Sequence, residues 1–288
     1  MELNLNELWF EYELIDCGNS RKLERFGDIV LIRPDISADE ESCIPYEEWR
    51  KMADAEFVEI SKNSGKWEVF KAMPDNWKIV YSSKLMNIVA DLFLSNTKHI
   101  GVFPEQVINW QFMEKMNPVY PNMRFLNLFG YTGLSSVAAA PLAKKVTHID
   151  SIKKVVEQTK KNAQNSGYEN LRCITEDVLK FVNREIKRGK KYHGVILDPP
   201  TIGTGANKEK WILEDMIDDL LAGIAQILYD QSYIIMNLYS RSMNEKFIHR
   251  LVLTYFPKHK LALCEKLTGL ATSGNSIDHG YFVRLVKK

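Results

Sequence analysis

The sequence predicts an α/β protein: a doubly wound, mostly parallel sheet of about seven strands with an antiparallel hairpin at its end, preceded by a small β-rich lobe. Three observations predict it. From about residue 123 onward, short apolar runs alternate with segments of helical periodicity, the grammar of strands joined by crossover helices. The apolar runs are continuous, as burial on both sheet faces requires. The last two runs are joined only by residues 268–280. That stretch is too short for a crossover helix, so these two strands pair antiparallel.

The elements follow in order. The first 95 residues carry Trp9, Trp49, Trp67 and Trp77 among short pieces such as FGDIVLIRP and GKWEVF, with an acidic stretch from Asp35 to Glu59. They read as the β-rich lobe, and residues 96–288 as the α/β domain. Residues 84–98 suit either helix or strand. The expected strands are 124–129, 145–150, 171–176, 193–198, 232–238, 261–267 and 281–286. Between them, LSSVAAAPLA opens with small residues. IKKVVEQTKKNAQNSG ends at Gly167, and DVLKFVNREIKRG runs from an acidic cap to Gly189, both in keeping with helix punctuation. KEKWILEDMIDDLLAGIAQIL reads as one long amphipathic helix, and NEKFIHRLVLTYF as the next.

The bulk numbers exclude several classes. The 288 residues are 45% hydrophobic and 26% charged, with 38 basic against 37 acidic side chains and a net charge of +1. No global positive field points to nucleic acid. Cys17, Cys43, Cys173 and Cys264 form no CxxC pair, which argues against structural zinc and a disulfide framework. The amino terminus lacks a basic stretch followed by an apolar core, and no apolar run reaches about 18 residues. A cytoplasmic protein with no membrane partner is the expectation.

Chemistry concentrates at strand ends. Asn127 to Gly133 must turn sharply from strand to helix, and Gly130 and Gly133 would either let a ligand approach backbone there or merely cap an ordinary strand–helix turn. The turn is neither GxGxxG nor a P-loop. Asp150 ends the second strand about 20 residues later, where an acid can accept from ribose hydroxyls, or cap the next helix. Asp177 ends the third, where capping is the simpler reading. The fourth runs into Asp198-Pro199-Pro200, whose prolines stop the strand and hold a carboxylate at the sheet edge. Four such features on successive strands converge on one crevice. Trp211 packs the long helix or covers the crevice, the GTGAN loop (203–207) orders over a target, and His279 reads first as a surface histidine in a glycine turn, with entry into the site as a base the alternative.

FLNLFGYTG, HID, TEDV and ILDPP resemble the motifs of class I S-adenosylmethionine-dependent methyltransferases, with their Rossmann-like sheet. The LFGYTG and LDPP forms resemble more narrowly the family of bacterial 23S ribosomal RNA methyltransferases that modify cytosine C5 or guanine N7. KHIGVFPEQVINW (98–110) is similar to the segment before that family's first strand. YELIDCGNSRKLERFG (12–27) is similar to the N-terminal lobe of one of its branches. The resemblance implies S-adenosyl-L-methionine as cofactor. It implies Asn127, Phe129, Gly130, Tyr131, Thr132 and Gly133 on its methionine and ribose side. Asp150 would take the ribose hydroxyls, with Ser151 and Ile152 flanking adenine and Asp177 and Val178 facing it. Phe103 and Gln106 would close the pocket. Asp198, Pro199 and Pro200 would lie under the transferring methyl group.

One departure bears on chemistry. Cytosine-C5 members carry a cysteine just after the fifth strand, because C5 becomes nucleophilic only after a thiolate attacks C6. Here that stretch reads NLYSRSM, with Tyr239, Ser240 and Ser242. Cys173 and Cys264 fall inside apolar strands, as buried structural thiols do. The expected activity is therefore methylation of RNA, ribosomal RNA first, without a cysteine-dependent C5 step. A protein or small molecule is the alternative substrate. A nicotinamide oxidoreductase fits less well, lacking GxGxxG, as does a non-catalytic binding protein. The local basic runs at 144–145, 153–154, 160–161 and 187–191 read mostly as solvated helix faces.

Overall fold

A computed structural model describes residues 1–61, 64–205, 210–240 and 243–287. It contains two compact units, and neither is one continuous stretch. The larger comprises Lys84–Ile88, Asn109–Lys266 and Gly280–Lys288, the smaller Met1–Ser83, Val89–Ile108 and Leu267–His279.

Seven strands carry the main sheet: β1 (Met123–Leu128), β2 (Ala143–Asp150), β3 (Leu171–Thr175), β4 (Tyr192–Leu197), β5 (Leu228–Leu238), β6 (Lys260–Leu270) and β7 (Ser276–Lys287); the larger unit holds β1 to β5, β6 through Lys266 and β7 from Gly280. Their order is β6-β7-β5-β4-β1-β2-β3. β1, β2, β3, β4 and β5 pair in parallel, and β7 runs antiparallel to β5. This is the expected mostly parallel, Rossmann-like sheet with a reversed terminal strand. After β1 the chain winds outward through β2 and β3, then returns to the other side of β1 for β4. The winding reverses between β1 and β4, and the carboxyl ends of those two strands open a crevice.

Alternation of side chains sorts the two faces of this sheet. Leu126 and Leu128 of β1, Val195 and Leu197 of β4, and Ile234 and Met236 of β5 join one apolar core. The helices Val178–Lys187, Leu213–Gln226 and Glu245–Tyr255 bury their apolar stripes against it through Phe181, Leu220 and Leu251. Each such side chain contributes roughly 1.5–3 kcal/mol on burial. The first and third helices are capped by Asp177 and Asn244, whose side chains accept from Lys180 and Phe247 backbone N–H groups. On the opposite face Tyr233 meets Phe112, Tyr120 and Phe125.

Several expectations change. The long helix starts at Leu213, not near 208. Lys210–Ile212 instead pairs antiparallel with Ile202–Thr204. Trp211 lies in this ribbon opposite Gly203, and its indole N–H donates to the Pro200 carbonyl at 2.6 Å. Part of the GTGAN stretch therefore lies in a ribbon, and positions 206 and 207, like Ser242, fall outside the described residues. Residues 84–98 contain a strand, Asn87–Phe93. Cys173 and Cys264 are only half-buried.

The smaller unit holds a five-stranded sheet of Tyr12–Gly18, Arg21–Phe26, Ile29–Pro34, Ala55–Ser61 and Ser64–Val69, in that order. It is the β-rich lobe the sequence predicts. Trp49 packs with Leu23 and Ile32, and its indole N–H reaches the Asp16 carboxylate at 3.1 Å. The Glu24 carboxylate is buried but takes Arg33 at 2.6 Å and the Tyr12 hydroxyl at 3.1 Å, which keeps its charge compensated. The unit also takes in the tip of the terminal hairpin, where Ser273 Oγ donates to Asp16 at 2.5 Å. His279 is buried in this part of the chain, not on the surface as its glycine neighbour implied.

Candidate active site

The turn after β1 is set by groups beneath it. Phe129 and Tyr131 both have positive φ, at 56° and 52°. Non-glycine residues seldom hold that conformation unless the surroundings impose it, and such residues cluster at functional sites. The Gly130 N–H donates to Ile149 O at 3.0 Å, and the Tyr131 N–H to Asp150 Oδ2 at 2.9 Å. The turn is thus clamped to the end of β2.

His148, fully buried and two residues before Asp150 on the same strand face, supports the turn from below. One ring nitrogen lies 3.0 Å from Ser136 Oγ, the other 3.1 Å from Thr159 Oγ1. Asn127 donates to Ser136 Oγ at 2.9 Å, and Thr159 Oγ1 lies 3.2 Å from Tyr131 O. Asn162 donates to Thr132 O at 2.9 Å. These buried polar groups satisfy one another, which offsets the desolvation each suffers. A Cβ on Gly130 would stand 2.3 Å from the His148 ring, and one on Gly133 2.1 Å from Thr159. The missing side chains thus face the protein's own interior. Of the two readings the sequence left open for these glycines, ligand approach and an ordinary turn, the close packing supports a structural part, and the sequence reasoning missed His148, Ser136 and Thr159. The available signal was His148 two positions before Asp150, on the same side of a strand.

Asp150 projects where β2 ends. Its Oδ1 accepts from the Ile152 N–H at 2.9 Å, complementing the Tyr131 bond to Oδ2. Burial pushes its carboxyl up, and the backbone donors of Ile152, Tyr131 and Ser151 push it back down. With three backbone donors on about four lone-pair sites, the carboxylate can still accept from a hydroxyl. Beside it Ile152 is 51% exposed, an apolar surface suited to a flat ring. Asp177 spends one oxygen on the Lys180 N–H, at 2.9 Å, so capping is its visible work. The Val178 side chain belongs to the core. Phe103 and Gln106 lie in the smaller unit, with Gln106 buried.

The β4 turn completes the constellation. Asp198 is half-buried at the carboxyl end of β4, and the Tyr239 hydroxyl reaches its Oδ2 at 3.4 Å. Pro199 is buried and Pro200 exposed. The Pro200 and Thr201 carbonyls are engaged, by Trp211 Nε1 and by the Leu213 N–H at 3.0 Å. The Trp211 ring also packs on Phe129 at 4.7 Å between centroids, tying the β4 turn to the β1 turn. Ser240 donates to Glu214 at 2.6 Å, away from Asp198. The larger unit therefore brings together Phe129, Tyr131, Asp150, Asp198 and Tyr239 at the strand ends. A cluster of acceptors beside apolar and aromatic surface fits a nucleoside bearing a cationic sulfonium chain.

Burial leaves several histidines uncharged. It pushes His148 down to about 3, and it depresses His259 and His99 to about 4, with nearby cations assisting at those two. The unfolded chain, with histidine near 6.5, therefore binds more protons than the folded one in the interval below. Stability from these groups is whole above pH ~6.5 and is lost as pH falls through that window toward 3. The slope approaches ~1.4 kcal/mol per pH unit for each fully buried ring. Thermal unfolding followed from pH 7.5 to 4 should show the decline, and His148→Gln should make it shallower; parallel curves would contradict the assignment.

Comparison with known proteins agrees with this geometry. The family described as conserved hypothetical protein 95 matches residues 105–254. A crystal structure of a S-adenosylmethionine-dependent methyltransferase from Agrobacterium tumefaciens superposes with a TM-score of 0.87 at 29% identity, covering 100% of this chain and 93% of that one. A protein of Caldanaerobacter subterraneus described as uncharacterized RNA methyltransferase TTE1797 is 36% identical over 97 residues, 34% of this chain and 20% of the relative. Ribosomal RNA large subunit methyltransferase I of Aeromonas salmonicida is 28% identical over 125 residues, 42% of this chain and 30% of the relative. The chain thus spans less than a third of the length of these two curated relatives. With the sheet, the switch point and the profile match in agreement, the chain belongs to the conserved hypothetical protein 95 family and is a class I S-adenosylmethionine-dependent methyltransferase.

Proposed function

We propose that this protein methylates a nitrogen atom of a base in RNA, ribosomal RNA first, without forming a covalent bond to the base. The observation that carries the reading is Asp198, at the switch point with the Tyr239 hydroxyl on one oxygen, together with a sequence after β5, NLYSRSM, that contains no cysteine. The cofactor, when bound, supplies an electrophilic methyl group. Asp150, Ile152 and the β1 turn hold its nucleoside end. Asp198 accepts a hydrogen bond from the substrate N–H and so directs the nitrogen lone pair at the methyl group. Positioning of this kind supplies most of what a direct transfer needs. Phe129 and Trp211 exclude water from one side of the crevice.

A cysteine-dependent route finds little support. Cys173 lies on the outermost strand, β3, and Cys264 on β6. Burial raises both thiols, Cys264 to about 11, where little thiolate exists at neutral pH. The RNA assignment draws on the names of the curated relatives. The test is transfer of labelled methyl from S-adenosylmethionine to unmodified RNA, followed by nuclease digestion to identify the base. Cys173→Ser and Cys264→Ser should each retain activity within about twofold, since neither thiol takes part in a step. A labelled cytosine C5, or loss of activity in either variant, would overturn the mechanism. Labelled protein or metabolite with unlabelled RNA would move the substrate to the alternative class.

A further inference from the structure

We propose that the amino-terminal ends of the parallel strands form a second nucleic-acid contact, a cationic surface at the opposite edge of the sheet from the crevice, which binds RNA phosphates. The proposal rests on the RNA reading above and adds a distinct surface to it.

Separate basic runs in the sequence meet here. In the register of β1 and β2, Arg124 stands opposite Lys145, with Lys144 beside it. The Arg124 N–H donates to His193 Nδ1 at 3.1 Å, which brings the start of β4 and the preceding KRGKK run, 187–191, alongside. The Arg124 guanidinium lies over the Tyr192 ring at 5.5 Å. On the other side of β4, Lys191 donates to Gln226 O, just ahead of β5. Lys287, at the end of antiparallel β7, pairs in register with Ser232 near the start of β5 and holds Asp230 at 2.8 Å. Asp230 is held below the ordinary carboxylate range by Lys287, with Lys258 and Lys191 adding to it, so those cations share one neighbourhood. Lys144, Lys145, Lys187, Lys190 and Lys258 are exposed.

The acids at this end do not cancel them. Glu185 is buried and accepts from Tyr192 at 2.7 Å. Glu114 accepts from the Leu85 N–H at 2.7 Å, and Asp230 is committed to Lys287. Glu169 sits beside the outermost strand. A chain of net charge +1 has thus gathered cations at one edge. Favourable interaction with a helix carboxyl end accounts for Lys187 and Arg188. It does not account for Arg124, Lys144 and Lys145, which stand at strand starts. Neighbouring strands lie about 4.8 Å apart, so the cations repeat across several strand ends. A small anion needs one or two of them; a row suits an extended polyanion with regularly spaced phosphates.

The test compares the wild type with a Lys144→Glu, Lys145→Glu, Lys190→Glu triple variant. Binding of an unmodified ribosomal RNA fragment is measured by anisotropy from 50 to 300 mM KCl, beside cofactor binding, methylation of a short oligonucleotide, and binding to phosphatidylserine vesicles. The expected result is a loss of RNA affinity of at least tenfold at 100 mM salt. The slope of log K against log salt should fall by about 2, as loss of three phosphate contacts implies. Cofactor affinity and oligonucleotide methylation should not change. An unaltered slope and affinity would overturn the proposal, as would vesicle binding that the variant loses while RNA binding persists. If the wild type labels no RNA but binds it with a slope the variant loses, the surface stands and the RNA-methylation reading falls. If it labels RNA and the slopes agree, the reverse holds.

Discussion

Replacing Asp198 by alanine is expected to lower the rate of methyl transfer by about 10²–10³-fold, the usual loss when one preorganised polar group is removed from a reacting centre. The reason is positional. β4 delivers Asp198 to the switch point, where Pro199 and Pro200 end the strand and the Trp211 contact at Pro200 holds the turn. The Tyr239 hydroxyl reaches one carboxylate oxygen at 3.4 Å, and an ionised carboxylate offers about four acceptor sites in all. Alanine removes the acceptor and leaves the turn. Stability should hardly change, because Asp198 is half-buried and contributes nothing to the apolar core. The informative measurement is single-turnover transfer at saturating cofactor, with cofactor Kd measured separately. The fall in rate should greatly exceed the rise in Kd. Asp198→Asn should lie between wild type and alanine, since it keeps an acceptor oxygen and loses the charge. Tyr239→Phe should cost tenfold or less, because one hydrogen bond is worth about 0.5–1.5 kcal/mol. A wild-type rate for Asp198→Ala would remove Asp198 from the chemistry.

What the sequence revealed and what it hid separate along one line. Features that depend on neighbours in the chain were legible. The apolar runs became strands, the short final connection became a terminal hairpin, and the Asp177 cap is where it was expected. The strand-end positions of Asp150 and Asp198 followed from the same local logic. Features that depend on strand register were hidden. His148 meets Asn127 only because β2 pairs with β1 in the register that sets them side by side. The link of Trp211 to Phe129 needs the ribbon of Ile202–Thr204 with Lys210–Ile212, and helical periodicity hid that ribbon by continuing smoothly into the true helix. The basic runs looked like independent solvated faces for the same reason. Sheet register, not sequence proximity, places Arg124 beside Lys145.

Gly130→Ala and Gly133→Ala carry this distinction into a measurement. If the glycines served only ligand approach, alanine would weaken cofactor binding and leave the free protein as stable as before. The geometry predicts damage to both. At position 130 the new methyl would stand 2.3 Å from His148 Cε1, 2.4 Å from Nδ1 and 3.1 Å from Asn127 Cγ. That ring is fully buried and bonded on both sides, so it cannot swing away without breaking its contacts to Ser136 or Thr159. At position 133 the φ of +80° adds a left-handed penalty to a 2.1 Å clash with Thr159. Overpacking costs about 1–3 kcal/mol, and a side chain in the left-handed region roughly 1–2 kcal/mol more. In a unit of this size each kcal/mol lowers Tm by about 2–4 °C. Both variants should therefore melt several degrees lower without cofactor, Gly133→Ala the lower of the two. Displacement of the turn should also raise the cofactor Kd by more than about tenfold, because Tyr131 N–H and Asp150 shift together. Thr159→Val separates volume from bonding: it keeps the shape and removes the hydroxyl linking His148 to Tyr131. It should weaken cofactor binding with a smaller loss of stability than Gly133→Ala. Cofactor affinity unchanged in Thr159→Val would mean that packing alone holds the turn and that the His148 network contributes nothing to binding.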